Sequence, residues 1–279
     1  MIVSAAFVPG VWLFGGRMSG SLTAITTQAN RLQKLGAPDC APISSSIKEI
    51  YEICLSVNLA QRAIWAFSRF VPGELVRRVV DSSISTELGG VRGEIAILFT
   101  DVRGFTTIAE SSDPDALMHQ MSRYFTKLTE VFLAEGGTVD KFIGDAVMVF
   151  CNAPNLQPDH VEHACRAALA GKVASEQLNA QFEAEGLQPF FTRFGVHVGD
   201  SVVGKLGSSE RMNYTALGSA VNLASRLEGL NKQHETTTLA SGDVYRCAHQ
   251  YFRFKEIGSV IAKGMTRETV VYELTGALP

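Results

Sequence analysis

The chain has 279 residues, of which 46% are hydrophobic, and its formal net charge is −3. A chain of this length can bury one sizeable core together with a smaller appended element. Its charged residues are spread along the sequence without a basic tract, which argues against nucleic-acid binding. The five cysteines lie far apart and form no C-x-x-C pair, so they favour a reducing compartment, and we assign none of them a catalytic role.

Residues 1–16 form an uncharged, mostly apolar run. The run is shorter than the roughly 20 residues that a spanning helix needs, and it contains Pro9 and ends in Gly15 and Gly16. Basic residues follow it, as they do on the cytoplasmic side of membrane spans. Two interpretations stay open: the run is the cytoplasmic end of a membrane span, which would attach the chain to a membrane, or it is a buried apolar segment.

Residues 17–72 have a helical pattern that is interrupted near Pro38. We expect a short helix over 18–34 and a second helix that begins near residue 46. In the second helix, apolar residues recur at intervals of three, four or seven, namely Ile47, Ile50, Cys54, Val57, Ile64, Phe67 and Val71. This spacing predicts either packing on a partner helix or an amphipathic helix in its own domain.

Residues 73–90 contain a serine-rich stretch and end in two glycines, so we expect a connector there; after it, β-prone and helical stretches alternate. Asp113 and Pro114 mark a helix start, and two β-prone runs flanking Gly144 and Asp145 predict a tight hairpin. The alternation predicts an α+β fold, in which an antiparallel-rich sheet carries flanking helices on its outer face. The expected strands are 95–99, 138–143, 146–150, 191–199, 237–240, 251–255 and 268–274, and further helices are expected over 160–185 and 219–230.

Asp101 and Asp145 are the leading candidates for a chemical site. Asp101 follows the buried strand and Asp145 lies in the hairpin turn, so both carboxylates reach the same sheet edge if these strands are neighbours. Two carboxylates at close range do not both ionise readily, and a divalent cation such as Mg²⁺ relieves this. Gly104 permits a tight turn, after which the backbone N–H groups of Phe105 and Thr106 can face phosphate oxygens. For either Asp alone, a helix cap or a turn residue is the simpler interpretation.

Three ordered segments resemble the motifs of the class III nucleotidyl cyclases, a family of adenylyl and guanylyl cyclases. They are Phe99–Thr106, Lys141–Met148 and Asn213–Glu228, and the resemblance covers about 91–274. It implies a catalytic domain over 91–279 with a ferredoxin-like core, preceded by a helical linker region. The two helices and the connector in residues 17–72 also resemble the HAMP linker of membrane signalling proteins.

The resemblance implies a role for each matching residue. Asp101, Asp145 and the backbone carbonyl of Val102 would hold two divalent cations, Mg²⁺ or Mn²⁺. Asn222 would orient the ribose, and Arg226, four residues later on the same helix face, would stabilise phosphate charge in the transition state. Lys263 would contact the terminal phosphates of the substrate. Phe105 and Thr106 would contact the substrate at the turn after Gly104.

Lys141 and Thr215 match the two positions that select the base in this family. A Lys donor suits the ring nitrogen N1 of adenine, which accepts, whereas guanine presents a donor there. Well-known members carry Asp at the second position, so Thr215 is a departure, although its hydroxyl can accept from the adenine 6-amino group. A subset of the family that includes bicarbonate-responsive forms also has Thr.

The implied enzyme is a cytoplasmic adenylyl cyclase, which converts ATP to 3′,5′-cyclic AMP and pyrophosphate for intracellular signalling. The resemblance also implies a homodimer with two shared sites, each taking Asp101 and Asp145 from one chain and Lys141, Thr215, Asn222 and Arg226 from the other. Two alternatives remain: a guanylyl cyclase, against which Lys141 argues, and a non-catalytic cyclase-like regulatory module. Such modules usually lose metal or phosphate residues, and this chain retains them.

Overall fold

The computed structural model describes residues 47–68, 89–208, 212–260 and 268–279, together with isolated positions between 19 and 30. The chain divides into two compact units, Met1–Glu87 and Leu88–Pro279. Several predicted features lie outside the described residues: the apolar run 1–16, most of the predicted helix 18–34, Val71, the connector up to residue 88, and Lys263. Within the described ranges, no helix combines the length and the hydropathy of a membrane span.

In the first unit, helix α1 spans Lys48–Ser68. Ile50 and Cys54 are buried and Val57 is partly buried, so one face of the helix with three- and four-residue spacing is covered. Phe67 departs from this pattern, since it is 60% exposed. The helix is therefore amphipathic over most of its length, and a partner helix stays a prediction.

The second unit is built around one eight-stranded sheet. Its strands are β1 (Gly89–Val102), β2 (Thr138–Ile143), β3 (Ala146–Cys151), β4 (Thr192–Gly207), β5 (Met212–Leu217), β6 (Thr238–Ser241), β7 (Phe252–Val260) and β8 (Thr269–Ala277), and its helices are α2 (Phe105–Ser111), α3 (Pro114–Ala134), α4 (His160–Ala184), α5 (Ser219–His234) and α6 (Gly242–Ala248). The strand order is β2-β3-β1-β4-β6-β8-β7, and β5 pairs with β4. Among the described pairs, β4–β6 is parallel and the others are antiparallel. The predicted α+β fold with an antiparallel-rich sheet is confirmed, and this order is consistent with a ferredoxin-like core.

Side-chain alternation along β1 separates two hydrophobic cores. Ala96 and Leu98 pack on one side of the sheet with residues of α3, α4 and α6. Ile95 and Ile97 pack on the other side, against Ala220 and the rest of the inner face of α5. We expected the helices on one outer face, and the structure corrects this, because α5 covers the opposite face.

β1 and β4 are much longer than the sequence predicts, and β7 and β8 extend a few residues past their expected ends. β1 pairs with β4 along its whole length, from Gly89–Lys205 to Val102–Thr192. The sequence pattern did not predict β5, which pairs with the second half of β4. The backbones approach closely here, since a Cβ on Gly204 would lie 2.2 Å from the carbonyl oxygen of Gly89. The first six residues of β1 are exposed, so they lack the apolar pattern that marks a buried strand.

Candidate active site

The register of the sheet brings Asp101 and Asp145 together. β1 pairs with β3 along its buried half, so the turn between β2 and β3 lies beside the end of β1. Asp145 occupies this turn and directly follows Gly144. The backbone of Gly144, with a φ of 63°, lies in the left-handed region that favours glycine. The Oδ2 of Asp145 accepts a hydrogen bond from the backbone N–H of Val102 at 2.9 Å. Both carboxylates therefore lie at the same end of the strands.

The environment of Asp101 is partly buried and negative. Burial raises the pKa of Asp101, and the charge of Asp145 raises it further, while an ion pair with Arg193 opposes both effects. Within the described residues, no group of three or more His, Cys, Asp and Glu side chains forms a metal site. Two adjoining carboxylates nevertheless fit a divalent cation, because carboxylate oxygens are the ligands that Mg²⁺ prefers and a cation would offset their repulsion.

Arg193 is a member of this site that sequence reasoning missed. It lies on β4 directly opposite Asp101, and its Nη2 donates a hydrogen bond to the Oδ2 of Asp101 at 2.8 Å. Its side chain is only 14% exposed, against 31% for Asp101. The one available signal was a charged residue at an otherwise apolar point of the predicted strand 191–199.

Glu228 completes a buried charge network. Its Oε1 lies 3.1 Å from the Nε of Arg193, and its side chain is 12% exposed. Burial and then the charge of Asp101 raise the pKa of Glu228 to about 7, although Arg193 lowers it. The network requires α5 to lie very close to β4, and Gly195 permits this, since a Cβ there would lie 2.3 Å from the backbone nitrogen of Glu228.

Lys141 of β2 and Thr215 of β5 also meet within the chain. The Nζ of Lys141 donates to the Oγ1 of Thr215 at 3.0 Å, and this hydroxyl donates to the Oδ2 of Asp140 at 2.6 Å. The Asp140 side chain is 1% exposed. Burial raises its pKa, and the hydrogen bond from Thr215 and the charge of Lys141 counteract the shift. Sequence reasoning did not single out Asp140.

Asn222 and Arg226 lie on the face of α5 that points away from the sheet. Asn222 is exposed and Arg226 is partly exposed, whereas Leu223 and Leu227 are buried. Within the described residues, no hydrogen bond or ion pair joins Asn222 or Arg226 to other side chains, or joins Lys141 to the Asp101–Asp145 pair. Both α5 residues are thus available for contacts outside their own chain.

The predicted phosphate-binding turn follows the end of β1. Helix α2 begins at Phe105, after Gly104 in the left-handed region at φ 70°. The Phe105 ring lies 6.0 Å from the ring of Phe190, while Thr106 is exposed. The turn therefore stands next to Asp101, and the phosphate contacts of Phe105 and Thr106 stay predictions.

His197 takes no part in this site. It lines a cavity of about 310 Å³ together with Asp243 and Cys247, and the predicted site residues do not line that cavity. Its Nδ1 lies 2.7 Å from the Oγ of Ser241, and burial lowers its pKa to about 4. Because its imidazole is buried, neutral and hydrogen-bonded, we interpret His197 as a structural residue.

Residues 91–276 match the family model described as "Adenylate and Guanylate cyclase catalytic domain". Since this match covers most of the chain and coincides with the sheet and helices around Asp101, the chain belongs to the adenylate and guanylate cyclase catalytic domain family.

Two curated relatives carry adenylate cyclase names. The chain is 41% identical over 258 residues to Adenylate cyclase 1 of Rhizobium meliloti, covering 92% of this chain and 39% of that protein. It is 28% identical over 248 residues to Adenylate cyclase of Anabaena cylindrica, covering 85% and 48% respectively. The chain thus spans less than half the length of these relatives.

Two solved structures are similar to the second unit. The adenylyl cyclase CyaB from P. aeruginosa matches with a TM-score of 0.65 and 32% identity, covering 68% of this chain and 98% of that one. The guanylyl cyclase Cya2 matches with a TM-score of 0.64 and 31% identity, covering 68% and 96%. Overall similarity therefore does not separate ATP from GTP as the substrate, and the base-contacting residues must decide it.

Proposed function

We propose that the chain is an adenylyl cyclase, which converts ATP to 3′,5′-cyclic AMP and pyrophosphate. One observation carries the proposal: a single folded unit holds both the Asp101–Asp145 pair and the hydrogen-bonded Lys141–Thr215 pair. The first pair suits phosphoryl chemistry, and the second suits adenine. The adenylate cyclase names of the two curated relatives agree with this choice.

Asp101, Asp145 and the carbonyl of Val102 would hold two divalent cations, Mg²⁺ or Mn²⁺. When bound, such cations supply Lewis-acid activation of the attacking oxygen and charge stabilisation at the leaving phosphate. Arg193 opposes the rise in the pKa of Asp101 and fixes the orientation of its carboxylate through the 2.8 Å hydrogen bond. The Val102 N–H fixes Asp145 in the same way at 2.9 Å. The chain thus prepares the two carboxylates as ligands before substrate arrives.

The substrate supplies its own nucleophile, since the ribose 3′-oxygen attacks and pyrophosphate leaves. The side chains therefore have to bind and orient. Asn222 orients the ribose, and the guanidinium of Arg226 stabilises the charge that develops on phosphate. The N–H groups of Phe105 and Thr106 receive phosphate oxygens, and Lys263 holds the terminal phosphates.

The base is read by Lys141 and Thr215. The ammonium of Lys141 has three N–H donors, of which one is given to Thr215, so a donor remains for N1 of adenine. The Thr215 oxygen accepts from the 6-amino group. A guanine base would present an N–H and a carbonyl oxygen at these two points, and both would meet groups of the wrong kind.

We also propose a homodimer with two shared sites, each using the carboxylates of one chain and the base-, ribose- and phosphate-binding residues of the other. Val202 and Leu206 of β4 and Leu217 of β5 support this, because they are partly exposed and lie on the same face of the sheet as Thr215. An apolar surface of this kind next to a polar site suits the interface between two protomers.

The activity is tested with the purified full-length chain, Mg²⁺ or Mn²⁺, and ATP or GTP in parallel. We expect cyclic AMP to be the main product. We expect Asp101→Ala to reduce its formation by more than about 100-fold, because even changes behind metal ligands cost 10–100-fold. Asp115→Ala is the matched control, since Asp115 is an exposed residue in the first turn of α3. Equal cyclic AMP from the wild-type chain and Asp101→Ala would contradict the proposal.

The shared site is tested by mixing two inactive variants, Asp145→Ala and Arg226→Ala. In a heterodimer of the two, one site carries both substitutions and the other carries neither. Random pairing makes half of the dimers heterodimers, so about a quarter of wild-type activity should return. If the mixture recovers nothing although an affinity tag on one variant co-purifies the untagged other variant, the sites are not shared.

The finer assignments rest on resemblance. We propose that residues 1–16 are either the end of a membrane span or a buried apolar segment, and that a HAMP-like linker over 17–72 and a connector over 73–90 follow. The catalytic domain over 91–279 is then cytoplasmic and acts in intracellular signalling. Cell fractionation of the full chain tests the membrane reading. Because Thr215 matches the Thr-containing subset, we also propose that bicarbonate at constant pH raises the activity; an unchanged rate would refute this.

A further inference from the structure

A buried carboxylate stands behind the two residues that face the base. Asp140 accepts the hydroxyl proton of Thr215 at 2.6 Å, and its other oxygen lies 3.6 Å from the Nζ of Lys141. The backbone of Ala216 is a third neighbour, and it helps to lower the pKa of Asp140 against the effect of burial. With its side chain 1% exposed, Asp140 does not face solvent itself. It acts only through Thr215 and Lys141.

The donors and acceptors of Thr215 can be counted. A hydroxyl has one proton and two lone pairs. The proton is given to Asp140, and one lone pair accepts from Lys141. One lone pair is left, and Thr215 lines a groove of about 310 Å³ together with Gly90 and Gly204. Toward that groove, Thr215 can accept a hydrogen bond but cannot donate one.

We propose that Asp140 is a positioning residue for base selection: by holding the Thr215 proton, it makes Thr215 an acceptor toward the substrate. An acceptor pairs with the 6-amino group of adenine and repels the 6-oxo group of guanine. A Thr without such a partner could rotate its hydroxyl and serve either base. This inference rests on the proposed function, and it adds a residue to that function's selectivity. Unfavourable pairing of this kind is an effective way to reject an analogue.

Asp140→Asn tests the inference because an amide has only one acceptor oxygen. In Asp140 the Oδ1 lies nearest to the Lys141 ammonium and the Oδ2 nearest to the Thr215 hydroxyl. The amide oxygen of Asn therefore faces the positive ammonium, and the amide N–H₂ faces Thr215. Thr215 then accepts from the amide, and its own proton turns toward the groove. The substitution therefore converts Thr215 from an acceptor to a donor without changing its identity.

The measurement is kcat/KM for ATP, GTP and purine riboside triphosphate, which has no group at C6, using the full-length chain. We expect the ATP/GTP ratio of kcat/KM to fall at least about tenfold in Asp140→Asn, the factor that one mispaired hydrogen bond produces. The value for purine riboside triphosphate should change by less than about threefold, since that base makes no contact with Thr215. Asp159→Asn is the matched control, because Asp159 pairs with His163 and contacts none of the proposed site residues that the structure describes; it should leave all three values unchanged.

Two outcomes would overturn the inference. In one, Asp140→Asn lowers kcat/KM for all three nucleotides by the same factor, which is the mark of a residue that only supports the fold. In the other, the ATP/GTP ratio does not move. If Asp140→Asn fails to fold by circular dichroism, Asp140→Ala decides the matter, because it frees the Thr215 proton and must also lower the ratio. A wild-type chain that makes no cyclic AMP would refute the proposed function instead, and the inference with it.

Discussion

Glu228 offers a quantitative test of the electrostatics around Asp101. Its carboxylate is largely buried beside Arg193. Burial, and to a smaller extent the negative charges of Asp101 and Asp145, raise its pKa to about 7. Glu228→Gln keeps the shape of the side chain and removes its titration. We therefore expect this substitution to change how the free energy of unfolding depends on pH.

The magnitude follows from the two pKa values. In the unfolded chain Glu228 has a pKa of 4.5, against about 7 in the folded chain. Between these pH values the unfolded state releases a proton that the folded state keeps, so stability falls as pH rises through this window. A difference of about 2.5 pKa units, at 1.36 kcal/mol each, corresponds to about 3 kcal/mol. This stability is present below about pH 4.5 and is lost above about pH 7.

The assay is urea unfolding of the full-length chain between about pH 5 and about pH 8, in the presence of EDTA so that no cation neutralises the carboxylates. Wild-type stability should decline by up to about 3 kcal/mol more than that of Glu228→Gln over this range. Glu110→Gln is the control, because Glu110 is exposed on α2 and should keep the wild-type slope. The same pH slope in the wild type and in Glu228→Gln would refute the reasoning.

Two further substitutions test the packing and the interface. Gly195→Ala should lower the free energy of unfolding by about 2–4 kcal/mol, because the new Cβ would lie 2.3 Å from the backbone nitrogen of Glu228. The control is Gly229→Ala on α5, which has open space around it and should be neutral or slightly stabilising. Equal urea midpoints for the two variants would contradict this. Leu206→Lys should convert the proposed dimer to a monomer and remove most of the activity, whereas Val173→Lys, at an exposed position on α4, should do neither. Sedimentation measures the oligomeric state and a cyclic AMP assay measures the activity. A stable, active dimer of Leu206→Lys would show that the interface lies elsewhere.

The sequence predicted those elements whose signal is local. Asp113 caps α3 as expected, since its side chain accepts from the backbone N–H of Ala116 at 3.0 Å. The hairpin around Asp145 and the long helix α4 also have the predicted bounds to within a few residues. Each of these depends on capping, turn geometry or apolar spacing over a short stretch, which the order of amino acids states directly.

The sequence did not predict the extended halves of β1 and β4, or β5. The residues of β1 before Ile95 are exposed, so pairing with β4, and not burial, holds them in a strand. Pairing partners lie about a hundred positions away in the chain, and no local pattern encodes them. The same reason explains why α5 was expected beside the other helices, although it packs on the opposite face.

For the site, the sequence by itself determined the candidate groups: Asp101 at a strand end, Asp145 in a turn and Lys141 on the same hairpin. Only the tertiary structure decided what surrounds them. The register of β1 against β4 sets Arg193 against Asp101, 92 residues away in the chain, and the pairing of β5 sets Thr215 against Asp140, 75 residues away. Charge and hydrogen-bond direction at a side chain depend on such distant neighbours, because electrostatic effects act through space and not along the chain.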